Sequence, residues 1–467
     1  MRPAPAARRR PDPSAFHVRT VQSGAESQDA DTAPDRAAFV PVREDGPVER
    51  LTTAARTAPS RRWVAVVSAL GAASLVWCLV DVWGRTWHQY QLDLAVYVLG
   101  AHHLVDGRLY TMSLPTPPHL PFTYPPIAAL AFIPLTALSR QTGQLVWAAV
   151  NVACLYAILV LSFRAVAPGI DRERCTLVAL CAMGPTMLLE PVWLTFFFGQ
   201  VNLVLCLAIL ADLTLVLRVG DRTLPRGVLL GISAAVKLIP LVFVPYLFVT
   251  RQFRAAWTSL AAFAGATLLA LLFNPSVTWS YFTKYATDAQ RVGGVFFISN
   301  QSLRGAVDRL DHRVVSVPLV TTAEGLVLVA GIALAAWAYR ESSSILGILV
   351  CATTGMLVSP ISWEHHLVWA VPILLWLALA PDRPAGGPAW AGVGAAVLVW
   401  APLLRVPSGG DNELHEHGWQ LLIGQSFFAL MAAFLVGVAV QLTLRRRRAG
   451  RPSSGPRRPA ATAGAAT

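Results

Sequence analysis

The sequence predicts an all-α bundle of membrane-crossing helices, and three observations carry that prediction. The first is composition: 55% of the 467 residues are hydrophobic and 14% are charged, where a soluble domain has about a quarter charged. The second is length: residues 63–83, 201–217, 255–273 and 421–444 are apolar runs close to the roughly 20 residues a helix needs to cross a bilayer. The third is that such runs recur along nearly the whole chain. A closed barrel would show alternating segments of roughly ten residues instead, and helices satisfy their own backbone groups in lipid.

The runs are framed by two polar tails. Residues 1–62 hold eleven Arg and eight acids, and residues 445–467 hold seven Arg and no acid. Both tails are poor in apolar residues and read as disordered and cytoplasmic. No apolar core of a signal peptide occurs in the first 30 residues. The net charge of +12 therefore sits largely beside membrane spans. There it orients the bundle and attracts anionic lipid headgroups, and nucleic acid is not an expected partner. The six cysteines lie in or beside apolar runs and show neither a disulfide framework nor a zinc spacing, so they read as packing residues.

Arginine placement gives each loop a side. Arg61 and Arg62 precede the first run, Arg445, Arg446, Arg447 and Arg448 follow the last, and Arg218, Arg222, Arg226, Arg251, Arg254 and Arg340 flank short connections. All these belong inside by the positive-inside rule, which places both termini in the cytoplasm. Residues 84–121, 274–316 and 359–366 then fall outside. An inside start and end require an even number of crossings, and about twelve spans are expected, with ten as the alternative. One apolar segment between residues 122 and 217 reads as re-entrant or half-spanning. Residues 227–249, interrupted by Lys237, Pro240 and Pro245, read as two broken pieces.

The candidate chemistry lies in the outer loops. Asp93 and Tyr97 are four residues apart and share a face if helical. A carboxylate just past a membrane exit suits a general base, although the same spacing fits a solvated loop acid. Asp106 and Gly107 read as a turn. Tyr124, before Pro125 and Pro126, reads as a rigid helix entry or an interfacial aromatic. Gln200 and Asn202, at the outer end of a span, suit sugar hydroxyls or neighbouring helices alike. Lys237 is one of only two lysines in the chain and sits within an apolar block. An intramembrane cation is costly and asks for a phosphate or carboxylate partner, unless it snorkels to the interface. Asn300, Gln301 and Arg304 suit a sugar or phosphate, or else a helix cap. Trp363, Glu364, His365 and His366 interrupt an apolar stretch. Trp stacks on sugar faces, and His binds phosphate or relays protons. Adjacent histidines diverge on a helix, so no metal site is expected there. His415, Glu416 and His417 read as an ordinary exposed loop. No Gly-rich nucleotide-binding loop is present, so an enzyme of this kind draws its substrates from lipid or from outside.

These residues in this order resemble glycosyltransferase family 87. The resemblance rests on Asp93 and Tyr97; Gly107 and Tyr110; Phe122, Thr123, Tyr124, Pro125 and Pro126; and Gly199, Gln200, Val201 and Asn202. It continues through Lys237, Leu238, Ile239 and Pro240; Asn300, Gln301 and Ser302; and Ser359, Trp363, Glu364, His365 and His366. It spans about residues 63–444, leaving the two tails unmatched. The resemblance implies a GT-C transmembrane domain in the plasma membrane, with its active site on the outer face and no cofactor. It also implies inverting transfer of mannose from polyprenyl-phosphate-mannose to a lipid-linked or glycan hydroxyl. Asp93 is the implied base. Leu92 and Leu94 flank it, so the paired acids of many GT-C relatives are absent. Lys237, Arg304, His365 and His366 are candidates for the donor phosphate. Two other readings are an enzyme using another polyprenyl-phosphate sugar such as arabinose, and a secondary transporter. A transporter of this size would show matching repeats in its two halves, and none is visible.

Overall fold

The computed structural model describes residues 61–219 and 222–449. The expectation of disordered tails concerns residues that lie mostly outside this range. Among these residues helices account for nearly all regular structure, with a two-stranded ribbon pairing Arg218–Val219 with Arg222–Thr223.

Among the described residues, five helices are long and apolar enough to cross a membrane: Ala65–His88, Arg140–Val166, Phe253–Phe273, Val317–Glu341 and Ser426–Ala449. The pair Arg172–Met187 and Glu190–Phe198 passes the same test together but bends by 78°, as a broken span or a re-entrant loop does. The break lies at Leu189, whose backbone is extended (φ −70°, ψ 125°), and Pro191 sits in the first turn of the second helix, where a missing N–H is tolerated. The other apolar helices are shorter: Asn202–Thr214, Ile239–Val249, Ser344–Val358, Glu364–Leu379 and Gly387–Trp400. By length and composition five or six helices qualify as spans, fewer than the about twelve spans expected, and the rest of the apolar chain is in shorter helices.

The outward faces are apolar. Leu70, Val80, Trp257, Leu272 and Val329 are all exposed, the reverse of a water-soluble surface and the arrangement lipid requires. Trp83 and Trp87 stack at the end of the first helix, where an aromatic belt belongs.

The connections gather at two ends. At one end Arg226 donates to Gln252 (3.2 Å), Arg340 to the Val249 carbonyl (2.6 Å), and Arg445 to Ser342 (3.3 Å) and the Asp382 carbonyl (2.7 Å). Every internal loop expected inside lies here. At the opposite end Gln91 donates to the Phe196 carbonyl (2.8 Å), Asn274 to the Leu104 carbonyl (3.0 Å), Asn202 to the His365 carbonyl (2.9 Å) and Gln301 to the Gly424 carbonyl (2.8 Å). The loops expected outside meet here. They are not loose: Leu94, Tyr97, Leu104, Tyr110, Phe122 and Phe132 form a second core with Val277 and Tyr281, beside the larger core inside the bundle.

Residues 227–249 do not cross. The helix Val228–Val236 begins beside Asp212, whose carboxylate accepts from the Gly227 and Leu230 amides at about 3.0 Å. The chain turns over at Lys237 and descends through Ile239–Val242 and Phe243–Val249 to the same end. Lys237 thus caps a re-entrant hairpin. Its extended backbone ends the helix, and Pro240, which has no N–H to donate, prevents an α-helix from resuming there.

One smaller expectation meets a different outcome, and the reading of the cysteines as packing residues agrees with the structure. Residues 415–417 are not uniformly exposed, because Glu416 is buried within Coulombic reach of Arg309. Five of the six cysteines are buried and all are free.

Candidate active site

At the outer-loop end, four elements point polar side chains at one another through apolar surroundings. The first is the helix Leu92–His103, which carries Asp93 in its first turn and Tyr97 one turn later. The second is the junction after Glu190–Phe198. Gly199 closes that helix in the left-handed region at φ +70°, and this reversal aims Gln200 at Asp93. The Gln200 amide donates to the Asp93 carboxylate at 2.6 Å, and its oxygen accepts from the Tyr97 hydroxyl at 2.8 Å. The Tyr97 and Tyr124 hydroxyls lie 3.1 Å apart.

The third element is the tip of the re-entrant hairpin. The Lys237 ammonium donates to Asn202 Oδ1 at 3.0 Å and lies 2.9 Å from His366 Nε2, with the Tyr124 ring 5.5 Å away. The fourth is the 3-10 turn Glu364–Trp369, fixed by Asn202 through the His365 carbonyl. Accepting from lysine assigns the His366 proton to Nδ1. That Nδ1 has no partner in the protein, and neither ring nitrogen of His365 has one. Buried polar atoms rarely go unpaired, and His366, though not His365, borders a space that a polar ligand would fill.

That space is a cavity of about 510 Å³. Tyr124, Lys237, Trp363 and His366 form its polar floor, while Leu241, Val242, Pro245, Leu328 and Val358 make a long apolar wall. Asp93 does not line it. The carboxylate is linked through Gln200 to Tyr124, two hydrogen bonds removed from the cavity, and is part-exposed.

Electrostatics separate the two acids of the first outer segment. Burial pushes the Asp93 carboxyl up to about 6, against the lowering effects of the Gln200 hydrogen bond and of Lys237. Asp106 is held below the usual carboxylate range by His103 and Arg108, which grip it at 2.8 and 2.7 Å. Asp106 is thus committed to a turn, and only Asp93 is poised near neutrality.

Residues 122–360, which contain the floor of this cavity up to the start of the 359–366 segment, match glycosyltransferase family 87. The chain belongs to that family. Two relatives are from Mycobacterium tuberculosis. One, a polyprenol-phosphate-mannose-dependent alpha-(1-2)-phosphatidylinositol pentamannoside mannosyltransferase, is 34% identical over 424 residues, covering 88% of this chain and 94% of the relative. The other, the corresponding phosphatidylinositol mannoside mannosyltransferase, is 32% identical over 403 residues, covering 79% and 91%. A pentamannoside mannosyltransferase from Mycolicibacterium smegmatis is 36% identical over 329 residues, covering 68% and 75%. No solved structure matches.

Within this glycosyltransferase, Asp93, Tyr97, Tyr124, Gln200, Asn202, Lys237, His365 and His366 form one cluster, with Trp363 on the cavity wall. Asn300, Gln301 and Arg304 are not brought to it by their side chains. All four hydrogen-bonding positions of the Asn300 amide are taken, by the Val295 and Pro360 carbonyls and the Ser302 and Ser362 amides. Gln301 is equally occupied, by the Ile298 and Gly424 carbonyls and the Phe427 and Phe428 amides. Arg304 is clamped by Glu324 at 2.8 and 3.0 Å. These three stitch the outer loops together, and the Asn300–Trp363 bridge holds the cavity wall in place.

Sequence reasoning did not find Tyr281, Tyr285 and Asp288, which face Lys237 across the cavity. They sit in a π-helical turn and a turn leading to a 3-10 helix, without the periodicity that marks a functional face. Glu190 is a further acid at this end. It lies fully buried beside Glu364, 174 positions away, with both carboxyl oxygens unpaired.

Gly199 gives a direct check on the geometry. A Cβ there would stand 2.7 Å from Leu94 Cβ, at a positive φ. Gly199→Ala should cost about 1–2 kcal/mol from the backbone alone and push the Gln200 turn away from the Asp93 helix. Transfer should fall more than protein yield. Unaltered turnover would show that the Asp93–Gln200 contact does not matter.

Proposed function

We propose that the protein transfers mannose from polyprenyl-phosphate-mannose to a hydroxyl of a lipid-linked or glycan acceptor, with inversion, on the outer face of the plasma membrane. One observation carries the reading: a lysine held at the tip of a broken hairpin, at the junction of a polar floor and an apolar wall. That junction suits a molecule with a phosphate at one end and a hydrocarbon chain at the other. The polyprenyl chain lies along Leu241, Val242, Pro245 and Val358. Its phosphate is held by Lys237 and His366, the two basic groups on the cavity floor. Trp363 stacks on the sugar.

The acceptor approaches from the side of Asp93. Its oxygen attacks C1 of the β-linked mannosyl phosphate as Asp93 takes the hydroxyl proton. The C1–O bond breaks and polyprenyl phosphate leaves with the bonding pair, so the product is an α-mannoside. The leaving phosphate is stabilised by the Lys237 charge and needs no separate acid. Gln200 orients Asp93, and Tyr97 orients Gln200. The mycobacterial relatives named above support a phosphatidylinositol mannoside as the acceptor class.

Membranes containing the protein, incubated with labelled polyprenyl-phosphate-mannose, should yield a labelled mannolipid or mannan. The same membranes given labelled GDP-mannose, with donor synthesis blocked, should not. Labelling from polyprenyl-phosphate-arabinose in place of mannose would reassign the sugar and leave the site unchanged.

The orientation has its own check. The arginine-rich loops assign their end to the cytoplasm, so cysteines introduced at Ser113 and Ser454 should label from opposite sides of intact cells. Labelling of both from outside would reverse the account of which side the acceptor comes from.

A further inference from the structure

A second cavity, of about 560 Å³, opens between the helices Ala370–Leu379, Gly387–Trp400 and Ser426–Ala449. Its walls are apolar, built from Met356, Leu374, Leu377, Leu398, Leu430 and Phe434. Its mouth is cationic: Arg383, Arg445 and Arg448 line it at the arginine-rich end of the bundle. The groove therefore has the reverse polarity of the donor cavity, whose cation lies near the opposite end.

The charges at this mouth are not neutralised. None of the three arginines is within ion-pair distance of a carboxylate among the described residues. The nearby Asp382 carboxylate is taken by neutral donors, Ser342 at 2.7 Å, Ser343 at 2.6 Å and the Trp376 indole at 3.0 Å. Arg383 and Arg445 donate only to the Ala380 and Leu379 carbonyls, the Asp382 carbonyl and Ser342, which bring no negative charge. Gln441 also lines the groove, is only 8% exposed, and leaves its side-chain oxygen unpaired. An acceptor with no donor calls for a ligand hydroxyl. From Leu430 to Arg448 the groove follows a helix for about 27 Å, enough for a lipid chain within one leaflet.

We infer that this groove is a binding site for an anionic phospholipid of the leaflet at the arginine-rich end. The phosphodiester is gripped by Arg383, Arg445 and Arg448, a headgroup hydroxyl reaches Gln441, and an acyl chain lies against Leu377, Leu398 and Phe434. Arginine suits this role because its planar fork binds phosphate oxygens in pairs. The inference is independent of the sugar chemistry at the other end.

The test is titration of the detergent-solubilised full chain with phosphatidylglycerol, phosphatidylcholine and inorganic phosphate, with adducts resolved by native mass spectrometry. Phosphatidylglycerol should bind about tenfold or more tightly than phosphatidylcholine, the equivalent of one charge-assisted hydrogen bond or more. Inorganic phosphate alone should not be retained. Replacing the three arginines together (Arg383→Gln, Arg445→Gln, Arg448→Gln) should erase that preference. Gly437→Leu provides an arm that leaves the charges in place. Gly437 lines the groove and has open space around it, so the added side chain fills the groove and should displace the lipid. Equal affinity for the two lipids, retention of phosphate without a lipid chain, or unchanged phosphatidylglycerol binding in Gly437→Leu would each overturn the site.

Discussion

Asp93→Asn should lower mannosyl transfer by about two orders of magnitude or more, the usual contribution of a positioned base. Asparagine keeps the shape of the side chain and a hydrogen bond to Gln200 but cannot take the acceptor proton. Expression and donor binding should persist, because the donor phosphate is held by other residues. Asp106→Asn, at a turn fixed by His103 and Arg108, should lose far less. The wild-type pH profile should carry the same signature. The active form of the base is ionised, and burial raises its pKa to about 6. Activity should therefore be full above that value and fall as the pH drops through it. A carboxylate in ordinary solvent would hold its rate down to about pH 4. Near-normal turnover in Asp93→Asn would remove the base and weaken the case for inversion.

Lys237→Met should have the second largest effect. The ammonium is anchored by Asn202 and His366, so methionine fills the space and removes the charge. A hydrogen bond to a charged group contributes about 1.5–3 kcal/mol, which corresponds to roughly a ten- to hundredfold loss in kcat/KM for the lipid donor. Because the charge also stabilises the leaving phosphate, kcat should fall along with the rise in KM. A loss confined to protein yield, with donor kinetics intact in the inserted fraction, would return Lys237 to a purely structural role. His366→Ala should move donor kinetics in the same direction and by less, since it removes one unpaired nitrogen rather than the charge.

The sequence made some of this legible and hid the rest for identifiable reasons. Long apolar runs announce spans, and the five longest helices stand where such runs lie. Run length does not distinguish a crossing from a hairpin: the breaks at Lys237, Pro240 and Pro245 marked residues 227–249 as two pieces, but not that they return to their own end. Lys237 stood out because it is one of two lysines and sits in apolar context, and an intramembrane ion is costly enough to need a reason. Asp93 stood out only through the family resemblance, since its spacing from Tyr97 alone fits a solvated loop equally well. Asn300 and Gln301 show the opposite limit. An amide that clamps two loops and an amide that binds a sugar are the same residue type, and only the full set of hydrogen bonds separates them. The pairing of Gln200 with Asp93, 107 positions apart, depends on the left-handed turn at Gly199 and could not be read from either motif by itself.

The central claim is that mannose passes from a lipid phosphate to a hydroxyl in a single displacement assisted by Asp93. The most direct measurement uses the purified protein in lipid nanodiscs with β-mannosyl phosphoryl polyprenol labelled with carbon-13 at the anomeric carbon. A phosphatidylinositol mannoside serves as acceptor, and the anomeric signal is followed by NMR. The account predicts that the donor signal disappears and an α-mannoside signal replaces it, and that Asp93→Asn leaves the donor signal unchanged over the same interval. A β-mannoside product, or an α-mannoside formed equally fast by the variant, would contradict it.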